Sequence, residues 1–155
     1  MEKIILIACS AGKKKEPCWA KKMYISPLFK KCWLYAILLK PNKIFILSDE
    51  HYLLNPKKII SPYDKSLKNC KSRERKDWAK TVLENLKLKI KDLSEAKKTL
   101  DDYEFIILAG KVHYEHLIGK DGIQNYSIPW KGVGGIGCIL KFLNEQIAQL
   151  WENHK

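Results

Sequence analysis

"KIILIAC", from Lys3 to Cys9, is the stretch that decides the fold, because it contains an unbroken apolar run, Ile4 to Cys9, near the start of the chain. A strand with one wet face alternates apolar and polar residues, whereas a strand buried on both faces is apolar throughout. Three further segments have the character of strands: "KIFILS" (43–48), "EFIILA" (104–109) and the weaker "QNYSIP" (124–129). We therefore expect a four-stranded parallel sheet.

Helical patterns lie between these strands. "SPLFKKCWLYAILLK" starts with Ser26 as a capping residue and Pro27 at the first helical position. The short "HYEHLIG" ends at Gly119, which suits a helix stop. Two longer segments repeat apolar residues at helical spacing: Trp78, Val82, Leu86 and Ile90 in one, and Ile136, Ile139, Leu140, Leu143, Ile147 and Leu150 in the other. With right-handed crossovers, this alternation predicts one three-layer α/β/α domain over residues 1–155.

The composition is that of a globular protein, with 155 residues, 46% of them hydrophobic and 30% charged. No apolar run approaches the ~20 residues that a membrane span needs, and "MEKIILIACSAG" is too short for a signal peptide. The five cysteines form no C-x-x-C motif, so neither a disulfide framework nor a zinc knuckle is indicated. We expect a cytoplasmic protein with reduced thiols and no metal or cofactor, and we favour a monomer.

Positive charge is concentrated in the first part of the chain. Residues 1–91 hold 22 lysines and arginines against 8 acidic residues, whereas residues 92–155 hold 7 against 9. An asymmetric basic field suggests a polyanionic partner, which here would be nucleic acid and most simply DNA. A general enrichment in surface lysine is the alternative that the charge count leaves open.

Polar and glycine-rich residues follow each of the four expected strands. Ligands of open α/β sheets bind beyond the carboxyl ends of the strands, so these residues are candidates for a site. They are Cys9, Ser10 and Lys13 after the first strand, Ser48 to His51 after the second, Gly110, His113 and Tyr114 after the third, and Trp130 with "GVGGIG" (132–137) after the fourth. Each segment alone could be an ordinary turn, but four of them at one sheet edge favour a ligand site.

The "GVGGIG" segment matches G-x-G-x-x-G, but we do not interpret it as a dinucleotide fingerprint. That fingerprint begins a βαβ unit and is followed by an acidic residue about 20 positions on, whereas no strand is expected after the helix here. Gly132, Gly135 and Gly137 would still let the backbone approach a ligand, and the helix N-terminus would offer N–H groups to an anion. Tight packing of the loop against the sheet is the alternative.

Titratable side chains crowd the end of the second strand in "SDEH". His51 can exchange a proton near neutral pH, and Asp64 in "SPYDKSL" supplies a carboxylate that could share its cleft. Together they could perform acid–base hydrolysis. Asp64 could instead be a helix cap or an Asx-turn, and Asp49 and Glu50 could form only a solvated turn.

Cys9 and the loop aromatics allow two interpretations each. The Cys9 thiol could act as a nucleophile, although a thiol at the end of a buried strand is more often inert. Aromatic side chains beside lysines suit base stacking, although some of them must fill the core. The aromatic residues in expected loops are Trp19, Tyr24, Tyr52, Tyr63 and Trp130.

Several segments in combination resemble a family of small uncharacterised domains that are often labelled YaaA-like or peroxide-stress proteins. The segments are "ACSAGKK", "MYISPLFKKCWLYA", "FILSDEHYLLNPKKIISPYDKSL", "FIILAGKVHYEHL" and "IPWKGVGGIGCILKFLN", which cover nearly the whole chain. The resemblance implies the uracil-DNA-glycosylase-like fold, a four-stranded parallel sheet with flanking helices. It also implies a relation to a phage-defence DNA glycosylase that removes glucosylated hydroxymethylcytosine.

The family pattern carries over to named residues of this chain. Its motifs match Cys9, Ser10 and Lys13; Tyr24, Ser26, Pro27 and Leu28; Ser48 and His51; Pro62, Tyr63 and Asp64; Gly110 and Tyr114; and Gly132, Gly135 and Gly137. The family has a small residue and a lysine before the histidine and a glycine after it, where this chain has Asp49, Glu50 and Tyr52. This departure weakens the two acidic residues as catalytic candidates and leaves the geometry of the turn open.

The residues and the resemblance together predict a DNA glycosylase of antiviral defence, which flips a modified base out of the duplex and hydrolyses its N-glycosidic bond. Asp64 would stabilise the sugar cation or orient a water molecule, and His51 or the glycine loop would stabilise the departing base. The substrate-binding candidates are Cys9, Ser10, Lys13, Tyr24, Ser26, Ser48, Tyr63, Gly110, Tyr114, Trp130, Gly132, Gly135 and Gly137. Attack by a lysine through a Schiff base is a variant of the mechanism.

Two other classes of function stay open at the level of the sequence. One is a nucleoside or nucleotide N-glycoside hydrolase or deoxyribosyltransferase, which would use the same sheet edge but would leave the basic half of the chain unexplained. The other is a non-catalytic nucleic-acid-binding protein of a stress response.

Overall fold

The computed structural model describes residues 1–93 and 97–154, which form a mixed α/β fold. The strands are β1 (Glu2–Ala8), β2 (Cys18–Trp19), β3 (Lys43–Ser48), β4 (Tyr52–Leu54), β5 (Ile59–Ile60), β6 (Tyr103–Leu108) and β7 (Tyr126–Ser127). The helices are α1 (Ala20–Met23), α2 (Pro27–Leu38), α3 (Ser72–Leu93), α4 (Lys111–Tyr114) and α5 (Ile136–Asn153). Short 3-10 turns cover Leu67–Asn69 and Leu100–Asp102.

A five-stranded sheet, in the order β4-β3-β1-β6-β7, forms the centre of the fold. β1, β3, β6 and β7 run parallel, whereas β4 pairs antiparallel with β3. The prediction of a four-stranded parallel sheet is therefore wrong, because the chain turns back after β3 and adds an antiparallel edge strand. The weak segment predicted at 124–129 is also shorter than expected and pairs with β6 over Tyr126–Ser127.

The order of the strands determines which helices lie together. The chain moves from β1 to β3 in one direction across the sheet and then returns past β1 to β6. Right-handed crossovers therefore place α2 and α3 on opposite faces. The packing agrees with this rule, since α2 contacts β1 and α5, whereas α3 contacts β4 and α4. Because the direction reverses at β1, a crevice is expected between the ends of β1 and β6.

The apolar runs that predicted the strands form the core. Every residue from Ile4 to Ile7 is 0% exposed, as are Phe105 and Ile107 of the neighbouring strand. In register, Leu6 lies between Phe45 on one side and Ile107 on the other. Burial of both sheet faces is the physical reason that the central residues of these strands form continuous apolar runs.

Two helices follow the sequence pattern closely. α2 begins at Pro27, and the Ser26 side chain accepts a hydrogen bond from the Phe29 N–H at 3.1 Å, so the predicted cap is confirmed. The apolar stripe of α3 from Trp78 to Ile90 is buried, as helical spacing requires.

Two other helices differ from the prediction. α4 ends at Tyr114 rather than near Gly119, because the Gly119 N–H bonds to the Ile123 carbonyl and the chain folds back. α5 has the predicted stripe, but Ile136 is 57% exposed and only Leu143 of that stripe is fully buried. None of the helices within the described residues is long and apolar enough to cross a membrane.

Candidate functional site

A cavity of about 510 Å³ opens at the carboxyl ends of β1, β3 and β6. Its wall includes Cys9 from the end of β1, Asp49 from the end of β3, and Gly110 and His113 from the segment after β6. This is the position at which the reversal of strand order predicts a ligand crevice. The volume lies within the range of about 300–1,000 Å³ that is usual for small-molecule sites.

Asp49 is the centre of a hydrogen-bond cluster in this wall. Its Oδ1 accepts a hydrogen bond from His113 Nε2 at 2.6 Å and another from the Cys9 thiol at 3.2 Å. Its Oδ2 accepts a hydrogen bond from the Leu67 N–H at 2.9 Å. A carboxylate offers about four acceptor positions, so three donors leave room for one hydrogen bond to a water molecule or a substrate.

The environment of Asp49 keeps its carboxylate ionised. Burial alone raises the pKa of Asp49, because a low-dielectric surrounding disfavours the charged form. The hydrogen bond and charge interaction with His113, together with the Leu67 N–H, outweigh burial and hold the pKa below its usual value. Because an ionised carboxylate only accepts hydrogen bonds, His113 carries a proton on Nε2. A buried, charged carboxylate therefore faces the cavity at neutral pH.

Cys9 is unsuited to nucleophilic attack in this environment. Burial raises the pKa of its thiol to about 12, and the negative charge of Asp49 adds to the effect. The thiolate is the reactive form of cysteine, so a thiol that stays protonated is inert. The interpretation of Cys9 as a nucleophile is therefore disfavoured.

A chain of hydroxyl groups lies behind the same wall. The Ser48 hydroxyl donates to the Tyr63 oxygen at 2.9 Å, and the Tyr63 and Tyr24 oxygens are 2.7 Å apart. Ser48 also accepts hydrogen bonds from the backbone N–H groups of Glu50 and His51, which closes the turn after β3. Burial raises the pKa values of Tyr24 and Tyr63, so both phenols stay protonated. Of these residues only Tyr63 lines the cavity.

Lysines give the cavity a cationic rim. Lys13, Lys65, Lys68 and Lys111 all line it. An antiparallel bridge between Lys13 and Tyr24 brings the Lys13 ammonium to 4.4 Å from the centre of the Tyr63 ring. Four positive charges around one buried carboxylate suit a ligand that carries negative charge on its periphery.

Ser10 supplies a polar group that the fold itself leaves unused. Ser10 is one of the residues that line the cavity. Its Oγ is buried and has no hydrogen-bond partner among residues 1–93 and 97–154. A buried hydroxyl without a partner is unfavourable by about 1–3 kcal/mol. A ligand hydroxyl, amide or water that bonded to Ser10 would remove this penalty.

The two residues predicted as the catalytic pair lie in different places. Asp64 lines the cavity but is exposed to solvent at its edge. His51 is not among the cavity-lining residues and packs edge-on against the Tyr63 ring, 5.4 Å between ring centres. Burial and the nearby Lys58 lower the pKa of His51. The cavity therefore brings Asp64, but not His51, to the strand ends.

Some of the other predicted binding residues line the cavity, and the rest lie outside it. Cys9, Ser10, Lys13, Tyr63, Gly110 and Trp130 line the cavity. Ser26 caps α2, and Tyr24 and Ser48 lie behind Tyr63. Tyr114 is the last residue of α4, and Gly132, Gly135 and Gly137 are exposed around the start of α5, outside the cavity lining.

The structure assigns importance to two residues that the sequence undervalued. A solvated turn was the alternative interpretation of Asp49, but the residue is only 5% exposed, so that interpretation is wrong. The reason is its partners: Cys9, Leu67 and His113 are 40, 18 and 64 residues away, which no local pattern could reveal. The sequence pattern predicts that His113 follows a strand at this edge of the sheet. That predicted position is the feature by which His113 could have been identified as a site residue.

The turn after β3 adopts a conformation that usually requires glycine. Tyr52 has a φ of 61°. This left-handed region costs a non-glycine residue roughly 1–2 kcal/mol. Tyr52 pairs with Ser48 at the start of β4, so the antiparallel strand holds the turn in place.

Comparison with known proteins identifies a family for this chain. A model of a family of unknown function, DUF6884, matches residues 4–145, from β1 into α5. No curated protein and no solved structure matches the chain. The family match covers most of the sequence, and the chain therefore belongs to DUF6884, a family of unknown function.

Proposed function

We propose that the protein hydrolyses an N-glycosidic bond in nucleic acid, most simply DNA. The observation that carries the proposal is a buried, ionised carboxylate, Asp49, in the wall of a cavity of nucleoside size that is rimmed by lysines. Duplex DNA hides its bases, so the target nucleotide would be flipped into the cavity while the lysines contact the flanking phosphates. The basic charge of residues 1–91 supports the same partner.

The chemistry requires one negative group and one source of positive charge. As the bond between the sugar and the base breaks, positive charge develops on the sugar and the base leaves with the bonding electrons. Asp49 would stabilise the sugar cation and take a proton from the attacking water. Lys13, which lines the same cavity, would offset the negative charge on the departing base. The proton taken from the water passes from Asp49 to the departing base, directly or through solvent, so the products are an abasic site and a free base.

The resemblance to YaaA-like proteins narrows the proposed substrate to a modified base. Glucosylated hydroxymethylcytosine of phage DNA is the candidate, and the role would be cytoplasmic defence against phage. A cavity of about 510 Å³ and the unused Ser10 hydroxyl support a base that carries an additional polar group.

The test is release of base from defined DNA. Duplexes with glucosylated hydroxymethylcytosine, uracil or no modification are incubated with the protein, and abasic sites are revealed by alkaline cleavage. We expect cleavage of modified DNA only. No abasic product on any duplex would contradict the proposal, whereas activity on free nucleosides alone would favour the nucleoside hydrolase alternative. A protein–DNA adduct trapped by borohydride would indicate attack by a lysine instead of water.

The lysine rim gives a prediction about DNA binding. Replacing Lys65, Lys68 and Lys111 with glutamine removes three charges at the cavity. If each lysine contacts one phosphate, the negative slope of log affinity against log salt should become less steep by about 2–3, because each phosphate contact contributes about 0.9 to its magnitude. Fluorescence anisotropy with a labelled duplex at several salt concentrations measures the slope.

A second triple variant controls for the loss of net charge. Lys87, Lys89 and Lys91 are exposed near the end of α3 and do not line the cavity. Their replacement with glutamine should change the slope much less. Equal changes in the two triple variants would show that DNA does not bind specifically at the cavity rim.

A further inference from the structure

Three potential metal ligands meet at the ends of β1, β3 and β6. Cys9 Sγ, a carboxylate oxygen of Asp49 and His113 Nε2 all lie within 4.8 Å of one another. Sulfur, imidazole and carboxylate together form the ligand set that zinc takes in proteins, whereas magnesium and calcium prefer oxygen alone. We propose that these three side chains bind one Zn²⁺ ion. The inference does not rest on the proposed function, and the general-base role proposed for Asp49 belongs to the zinc-free protein.

The observed separations are close to those that a tetrahedral ion needs. Zn–N and Zn–O bonds of about 2.0–2.1 Å place the two ligand atoms about 3.3 Å apart. His113 Nε2 and Asp49 Oδ1 are 2.6 Å apart, and Cys9 Sγ is 3.2 Å from the same oxygen. A shift of less than about 1 Å would open the cluster to admit the ion.

The surroundings already orient the ligands. The Leu67 N–H holds Asp49 Oδ2 at 2.9 Å, which leaves Oδ1 toward the ion. The Trp78 ring lies edge-on to the His113 ring at 5.7 Å and restricts its rotation. Groups that fix the orientation of ligands in this way are characteristic of protein metal sites.

Three protein ligands leave the fourth position of the ion open. All three residues line the cavity, so this position would be filled from the cavity by water or by a substrate. The Ser10 hydroxyl lines the same cavity and has no partner in the described part of the chain, so it could bond to that water. A closed structural site would instead have four protein ligands.

Binding exchanges protons for the metal. In the metal-free protein, Cys9 and His113 each donate a hydrogen bond to Asp49 Oδ1. When Zn²⁺ enters, the thiol releases its proton to solvent and binds as thiolate. The proton of His113 moves from Nε2 to Nδ1, so that the neutral imidazole binds the ion through Nε2. The net charge of the cluster then rises by one, since a divalent cation replaces one proton.

The experiment is titration of metal-free protein with Zn²⁺ by calorimetry, with elemental analysis of the dialysed complex. We expect one zinc per chain, and an affinity at least about 100-fold lower in Cys9→Ser and in His113→Asn. Cys138→Ser is the matched control, because Cys138 is exposed and does not line the cavity. Circular dichroism verifies that each variant is folded.

Cobalt gives a second readout, which reports the thiolate ligand directly. Co²⁺ bound to thiolate absorbs in the near ultraviolet, so the band should appear in the natural chain and in Cys138→Ser but not in Cys9→Ser. Absence of stoichiometric zinc at micromolar concentration, or equal affinity in all variants, would overturn the proposal. Base release by a protein that binds no zinc would contradict only the metal site, whereas zinc binding without base release would contradict only the glycosidic function.

Discussion

Asp49→Asn should reduce the rate of base release by about 10²–10⁴-fold, which is the usual contribution of a general base. The substitution keeps the size of the side chain and removes its charge. The new amide can still accept from the Leu67 N–H, and His113 can move its proton to the other ring nitrogen, so the fold should persist. Single-turnover cleavage of a modified duplex measures the effect.

Asp64→Asn is the matched control for that experiment. Asp64 is the carboxylate that the sequence favoured, and it lines the same cavity from an exposed position. We expect Asp64→Asn and His51→Ala to keep most of the activity. A larger loss in Asp64→Asn than in Asp49→Asn would transfer the catalytic role to Asp64 and contradict the assignment made here.

Trp78→Ala should lower the free energy of unfolding by about 3–5 kcal/mol, as is usual for removal of a buried large aromatic side chain. Trp78 is 3% exposed, and its Nε1–H donates to the Ser48 carbonyl at 2.9 Å. The substitution leaves a cavity and also deprives that carbonyl of its partner. Urea unfolding followed by circular dichroism measures the change.

Two further variants separate the causes of that loss. Trp78→Phe retains most of the ring but not the N–H, so it should cost about 1–3 kcal/mol for the unpaired carbonyl. Trp151 lies on α5 and is 57% exposed, so Trp151→Ala should change stability by no more than about 0.5 kcal/mol. A loss in Trp151→Ala equal to that in Trp78→Ala would mean that burial does not explain the effect.

The strands could be predicted because their signal is local. Burial of both faces makes the central residues of β1, β3 and β6 a continuous apolar run, and this can be seen in a window of six residues. β4 could not be predicted in the same way. It has only three residues, and it exists because the turn after Ser48 directs the chain back along β3.

The site was predictable in location but not in detail. The rule that ligands bind beyond the carboxyl ends of parallel strands correctly selected the edge at which Cys9, Asp49 and His113 meet. Which carboxylate faces the cavity depends on side-chain direction and on donors far away in sequence. For the same reason the cluster carries no zinc motif, since its members lie 40 and 64 residues from Asp49.

The short edge strands of the sheet have a consequence for the behaviour of the protein in solution. A long, unpaired edge presents a row of backbone donors and acceptors that another chain can extend, and this is a common route to aggregation. Here the two edges are β4 with three residues and β7 with two. Edge strands of this length offer few backbone positions at which a foreign strand could pair, which limits this route to aggregation.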